Sequence, residues 1–198
     1  FMRAVESDAS WDLIDPHNQE VIDTKSARKL WEQMLEARYR TGEPYLHFID
    51  TAIRALPQQQ KDLGLTLHGS NLCSEIELAV DVDRTAVCCL SSVNLEHFDK
   101  WSKTNMIQDL TRFLDNVLQY FIDHCPHELK KAKYSAERER SLGLGAMGYH
   151  SYLQSKMAPF ESDKAMKINR EIFSYIKEEA VIQSKILATE RGEAPDME

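Results

Sequence analysis

The sequence has no long apolar run, no secretory signal at its start and no cysteine spacing typical of a disulfide-rich module. A membrane-spanning helix needs roughly 20 consecutive apolar residues, and no stretch of this chain approaches that length. The four cysteines are Cys73, Cys88, Cys89 and Cys125. Because their spacing is irregular, we expect reduced thiols, a cytoplasmic protein and no membrane partner.

Positive charge is also scarce. The chain has 24 basic and 32 acidic residues, and its formal net charge is −8. Binding to a nucleic-acid backbone needs clustered Lys and Arg, so we expect no nucleic-acid partner. A mononucleotide remains a suitable ligand, because a few backbone N–H groups or one basic residue can hold it.

The length of 198 residues and the apolar share of 42% fit one domain, or one large piece of a bigger protein. The chain begins with Phe1, and residues 192–198 form a polar stretch without a closing element. We therefore expect both ends to be interior points of a longer chain.

Hydrophobic periodicity predicts an α/β fold. Helices are predicted at residues 24–41, 105–123, 127–139, 149–154 and 162–191. Strands are predicted at residues 45–49, 63–68, 85–93 and 141–147. The connections are long enough for parallel crossovers, whereas three or four strands are too few to close a barrel.

Asn71, Cys73 and Glu75 alternate along the chain. In an extended or looped backbone such residues point to the same side, so one patch would hold an amide, a thiol and a carboxylate. This set suits chemistry on a polar substrate with several hydroxyl groups, and a thiol can also host a sulfur radical. The alternative is that Cys73 is a small buried hydrophobic residue, as free cysteines often are.

Of the adjacent Cys88 and Cys89, only one can face the same space as Cys73, because neighbours on a strand point to opposite sides. Cys89 is expected to be a packed strand residue, and the pattern leaves Cys88 open. Cys125 lies in a His-Cys-Pro-His turn that lacks a full set of zinc ligands, so we expect no metal site. The glycines at 143, 145 and 148 only loosely resemble a dinucleotide fingerprint, and close strand packing is the better interpretation.

Three stretches, in this order, resemble the large, catalytic subunit of class I ribonucleotide reductase: residues 70–75 (SNLCSE), 85–95 (TAVCCLSSVNL) and 140–148 (RSLGLGAMG). The resemblance implies an α/β fold that is a partial segment of a ten-stranded α/β barrel, with several helices. Residues 1–198 would be a single incomplete piece of this barrel domain, with a finger loop at about 66–78. It further implies reduction of ribonucleotides to deoxyribonucleotides for DNA synthesis.

The resemblance also implies a role for each matching residue. Cys73 would be the thiyl radical that abstracts the 3′-hydrogen of a ribonucleoside diphosphate, and Glu75 would take the 3′-hydroxyl proton. Asn71 would hold the ribose hydroxyls, and Ser70, Asn71 and Glu75 would together bind the substrate. Cys88 would be one of two thiols that reduce the substrate and end as a disulfide.

The remaining expectations concern partners and cofactors. No cofactor is expected in this chain; the dimetal-radical cofactor would lie in a small partner subunit, and ATP or dNTP effectors would bind parts of the large subunit absent here. Thioredoxin or glutaredoxin would be the reductant. Residues 1–70 contain no cysteine, so the second reducing thiol is missing. We therefore expect the chain to be inactive alone and competent only when joined to the remaining segments of the large subunit.

Two other hypotheses stay open at this point. The chain could be a non-enzymatic helical interaction module with a structural cysteine loop, in which case Cys73→Ala changes stability alone. It could also be a thiol redox protein that uses Cys73 and Cys88, although it lacks the C-x-x-C spacing.

Overall fold

The computed structural model describes residues 1–197, which divide into two compact units, Phe1–Phe48 and the chain from Ile49 onward. The helices are α1 Met2–Glu6, α2 Ala27–Thr41, α3 Ile49–Ala55, α4 Gln58–Asp62, α5 Phe98–Trp101, α6 Met106–His124, α7 Lys130–Glu139, α8 Tyr149–Ser155 and α9 Asp163–Arg191. The strands are β1 Ser10–Ile14, β2 Val21–Ser26, β3 Cys89–Asn94 and β4 Leu142–Met147. No helix within residues 1–197 is long and apolar enough to cross a membrane.

In the first unit, β1 and β2 form an antiparallel hairpin that the sequence pattern did not predict. Its turn contains Asp15, whose carboxylate accepts a hydrogen bond from the His17 N–H at 2.8 Å. The predicted first helix is confirmed as α2, but it begins later because β2 continues to Ser26, whose side chain caps the helix. It ends at Gly42, which adopts the left-handed conformation (φ 82°) that favours glycine.

In the second unit, β3 and β4 pair in parallel, with Cys89 opposite Leu142 and Asn94 opposite Met147. The predicted parallel crossover is therefore confirmed, and the helices α5, α6 and α7 lie along the chain between the two strands. Val93 and residues of the following turn pack into the main core of this unit. The buried members of that core are Val93, Leu95, Phe98, Trp101, Ile107, Tyr152, Ile172 and Ile176.

The longer predicted helices of this unit are confirmed to within a few residues. The predicted helix 105–123 is α6, and the helix predicted from Ser162 is α9. The Ser162 hydroxyl accepts a hydrogen bond from the Ala165 N–H at 3.1 Å, which gives the helix its N-terminal cap. The predicted helix 127–139 consists of a short 3-10 turn followed by α7.

Three strand predictions need correction. Residues 45–48 have no regular structure and Ile49 begins α3, while residues 63–68 form a turn and irregular backbone. Short apolar runs of this kind do not distinguish a strand from other backbone, because a strand also needs a partner. The strand predicted at 85–93 forms only from Cys89, and it is not buried on both faces, since Val93 is 5% exposed and Leu90 56%.

Candidate functional site

The backbone turns sharply between Asn71 and Glu75. The Ser74 N–H donates to the Asn71 carbonyl oxygen at 3.1 Å, and Ser74 has a positive φ of 64°. No helix passes through these residues, so the segment is a tight loop. Ser70, directly before it, is half-buried, and its hydroxyl donates to the same Asn71 carbonyl at 3.2 Å.

The Asn71 side chain holds the loop together. Its Nδ2 donates to Glu75 Oε1 at 2.6 Å, and its Oδ1 accepts from the N–H groups of Glu75 and Ile76 at 3.0 Å each. A primary amide has two N–H donors, so one remains for another group. A carboxylate accepts several hydrogen bonds, so Glu75 also keeps free acceptor capacity. The loop therefore presents an amide donor and a carboxylate acceptor side by side.

Cys73 lies within this turn and is exposed, as is its neighbour Leu72, which is 90% exposed. The thiol is thus not packed in an apolar core, which argues against its being a small buried hydrophobic residue. The structure places Asn71, Cys73 and Glu75 on one short turn, and it links two of the three side chains directly.

Cys88 and Cys89 lie on opposite sides of the strand pair. Cys89 packs with Val87 and Leu142 against a buried cluster that includes Leu118 of α6, as expected for a structural residue. The Cys88 sulfur is on the other side, 3.0 Å from the place where a Cβ on Gly143 would lie. Gly143 is therefore required for close approach of the two strands, which confirms close packing as the role of this glycine.

Burial raises the pKa of the Cys88 thiol, and the charges of Cys89 and Glu75 raise it further. Burial also raises the pKa of Cys89. Burial and nearby negative charge both favour the protonated form of the Cys88 thiol.

Cys125 has a different environment. It is half-buried, and its thiol donates to the carbonyl oxygens of Pro126 and Leu129 at 3.6 and 3.7 Å. Within residues 1–197, no group of three or more His, Cys, Asp or Glu side chains is arranged to hold a metal ion.

The sequence pattern missed a buried ion network, which we define as Arg84, Arg138, Glu139 and Asp196. The Arg84 side chain is 6% exposed, that of Glu139 2% and that of Asp196 0%. Burial raises the pKa of Glu139, while the nearby Arg84 opposes this shift. Arg84 lies 55 residues from Glu139 and 112 from Asp196, so no local pattern could reveal their contact.

The family model described as "Ribonucleotide reductase, barrel domain" matches residues 1–198. The chain is 53% identical over 200 residues to a putative ribonucleoside-diphosphate reductase large subunit of Frog virus 3, covering 100% of this chain and 35% of the relative. It is 54% identical over 187 residues to the large subunit of Invertebrate iridescent virus 3, covering 94% of this chain and 30% of that protein.

A solved structure is also similar. The alpha subunit of the class Id ribonucleotide reductase of Actinobacillus ureae superposes with a TM-score of 0.82 at 42% identity, covering 86% of this chain and 33% of that chain. The chain thus spans about a third of the length of the proteins that it matches here.

Proposed function

The chain belongs to the barrel-domain family of ribonucleotide reductases, and we propose that it supplies the catalytic loop and one reducing thiol of a ribonucleoside-diphosphate reductase large subunit. Its fold is a partial segment of the ten-stranded α/β barrel of that family. The proposal depends most on one observation: Asn71 and Glu75 are hydrogen-bonded across a tight turn that exposes Cys73.

In this proposal the loop binds the ribose of a ribonucleoside diphosphate. The free amide N–H of Asn71 donates to a ribose hydroxyl, and the Glu75 carboxylate accepts the 3′-hydroxyl. Ser70 adds a hydroxyl at the start of the loop. Glu75 is fixed by its bond to Asn71, so the base is held in position before the substrate arrives.

The chemistry begins at Cys73. Its thiyl radical takes the hydrogen atom from C3′, which leaves a carbon radical and an intact thiol. Glu75 takes the 3′-hydroxyl proton while one of two reducing thiols, of which Cys88 is one, gives its proton to the 2′-hydroxyl, which leaves as water. The two thiols supply two electrons and become a disulfide, and their second proton ends on C2′. Glu75 then returns its proton to the 3′-oxygen, and Cys73 returns a hydrogen atom to C3′. Burial raises the pKa of Cys88, which favours the protonated thiol that this role requires.

The partners follow from the same reaction. We assign the radical source, a dimetal-radical cofactor, to a small partner subunit, and the binding of ATP and dNTP effectors to other segments of the large subunit. Thioredoxin or glutaredoxin reduces the disulfide after each turnover, and the site of action is the cytoplasm. Of the other thiols in residues 1–197, Cys89 packs against α6 on the side opposite Cys88, and Cys125 donates to carbonyl oxygens at the end of that helix. We therefore assign the second reducing thiol to another segment.

We therefore expect the 198-residue chain alone, mixed with small subunit and a dithiol, to give no deoxycytidine diphosphate from cytidine diphosphate. A relative's large subunit in which residues 1–198 replace the matching stretch should be active, because the other segments complete the barrel. The measurement is product formation by chromatography. Turnover by the chain alone would show that no second segment is needed. An inactive but folded chimera would contradict the proposed function.

A further inference from the structure

The ion network contains two cations and two carboxylates in direct contact. Arg84 Nη1 donates to Asp196 Oδ2 at 2.6 Å and to Glu139 Oε1 at 3.1 Å. Arg138 Nε donates to Asp196 Oδ1 at 2.7 Å, and the Asp196 N–H donates to the Arg138 carbonyl at 3.0 Å. Charges so deeply buried need partners, and here each carboxylate has at least one.

The segment that leads to Cys88 is bonded along one face of α7, through Arg84 of the ion network and through its neighbour Thr85. Next to Arg84, the Thr85 N–H donates to Ser135 Oγ at 3.1 Å and approaches the Lys131 carbonyl at 3.4 Å. Lys131, Ser135 and Glu139 follow one another at intervals of four residues, so they share one face of the helix. Residues 84 and 85 are therefore held at three successive turns of α7.

The Arg84–Glu139 bond joins the two chain segments that meet at Cys88 and Gly143. Arg84 lies four residues before Cys88, and Glu139 lies four residues before Gly143. The Cys88 sulfur lies 3.0 Å from the position of a Gly143 Cβ, so this is a close contact between the two chain segments. The Arg84–Glu139 bond therefore links the two segments that meet at Cys88 and Gly143. Asp196 connects the residues after α9 to Arg84 as well.

From this geometry we propose that Asp196, acting through Arg84 and Arg138, is a positioning residue that holds the Cys88 thiol against the β3–β4 pair. The consequence for turnover depends on the redox role of Cys88 proposed above, whereas the consequence for thiol exposure does not. Loss of the Asp196 carboxylate removes the shorter ion pair of the buried Arg84, which keeps Glu139 at 3.1 Å and Asp81 at 3.9 Å, so we expect the contact of segment 84–88 with α7 to loosen.

The test uses Asp196→Asn, which keeps the side-chain shape and removes the charge, in the chimeric large subunit described above. Alkylation with iodoacetamide, followed by mass spectrometry, gives a rate for each cysteine. We expect the Cys88 rate to rise roughly fivefold to tenfold, because a less buried thiol forms its thiolate more readily. Cys125 lies outside this segment, with its thiol bonded to the Pro126 and Leu129 carbonyl oxygens, and serves as the internal reference.

The kinetic readout separates positioning from general loss of stability. We expect Asp196→Asn to lower kcat about tenfold, because a displaced Cys88 thiol reduces the bound substrate more slowly. KM should stay within about twofold. The substrate contacts that we propose come from the loop at 71–75, which the substitution does not touch. Asp196→Glu restores the carboxylate and should recover part of both changes.

Leu153→Ala is the matched control, because it removes a fully packed side chain from a separate cluster with Ala158 and Ala165. It should lower thermal stability without changing the ratio of the Cys88 and Cys125 alkylation rates. If Asp196→Asn does not fold, Arg138→Gln replaces it as a milder variant, because Arg138 is 32% exposed.

The alkylation rates distinguish a positioning role of Asp196 from a general loss of stability. An unchanged ratio of Cys88 to Cys125 alkylation in Asp196→Asn, or the same change of that ratio in Leu153→Ala, would overturn the positioning role. A selective rise at Cys88 in a chimera without turnover would support positioning and count against the proposed function.

Discussion

Cys73→Ala abolishes turnover in the chimeric large subunit, with a loss on the order of 10⁴-fold or more, as expected when a residue's chemistry has no substitute. Folding should hardly change, because Cys73 is exposed on a turn. Exposed substitutions alter the unfolding free energy by about 0.5 kcal/mol or less, so the Tm of the chimera should fall by no more than about 2 °C. The measurements are product formation and a thermal unfolding curve.

Cys125→Ala is the control for Cys73→Ala. It also removes a thiol, but this one is engaged with the carbonyl oxygens of Pro126 and Leu129 at the end of α6. Turnover in this variant should stay within about twofold of the parent, since the thiol has no proposed chemical role. A Cys73→Ala enzyme that retains turnover but unfolds at a lower temperature would instead support a structural cysteine loop.

Glu75→Gln has the second largest expected effect. It should lower kcat by about 10²- to 10⁴-fold, the usual contribution of a positioned general base. The loop should keep its shape, because the glutamine carbonyl can accept the hydrogen bond that Asn71 Nδ2 now donates to Glu75 Oε1 at 2.6 Å. Steady-state kinetics with cytidine diphosphate give kcat and KM separately.

Glu96→Gln is the matched control for Glu75→Gln. Glu96 is an exposed carboxylate in the turn after β3, outside the loop at 71–75. It should leave kcat within about twofold, as for most exposed substitutions. If Glu75→Gln were equally active, a base at position 75 would not be part of the reaction.

The sequence predicted the elements that have strong local patterns. The amphipathic period of α6 and the capped start of α9 are local, so their existence and approximate ends were correct. The β1–β2 hairpin was missed, because its strands are almost entirely exposed and carry no regular apolar alternation. The strand predictions at 45–49 and 63–68 were wrong for the opposite reason. Apolar residues are present there, but they pair with no partner strand within residues 1–197.

Some features of the candidate site could likewise be predicted from local sequence, and others could not. Asn71, Cys73 and Glu75 are near neighbours in the chain, so their juxtaposition could be read directly, and only its hydrogen bonds needed the structure. The alternation of the strand left Cys88 open and only the resemblance selected it, whereas the structure shows that Cys89 packs with Val87 and Leu142 against α6. The ion network could not be found locally, because its partners are brought together by the packing of α7 against distant segments.

The most direct test of the central claim is a crystal structure of the chimeric large subunit with a bound ribonucleoside diphosphate. We predict that C3′ of the ribose lies in van der Waals contact with the Cys73 sulfur, at about 4 Å. The 3′-hydroxyl should be hydrogen-bonded to Glu75, and Cys88 should lie on the side of C2′. A ribose bound away from the turn at 71–75, or one that meets this turn with no contact to the Cys73 sulfur, would contradict the account.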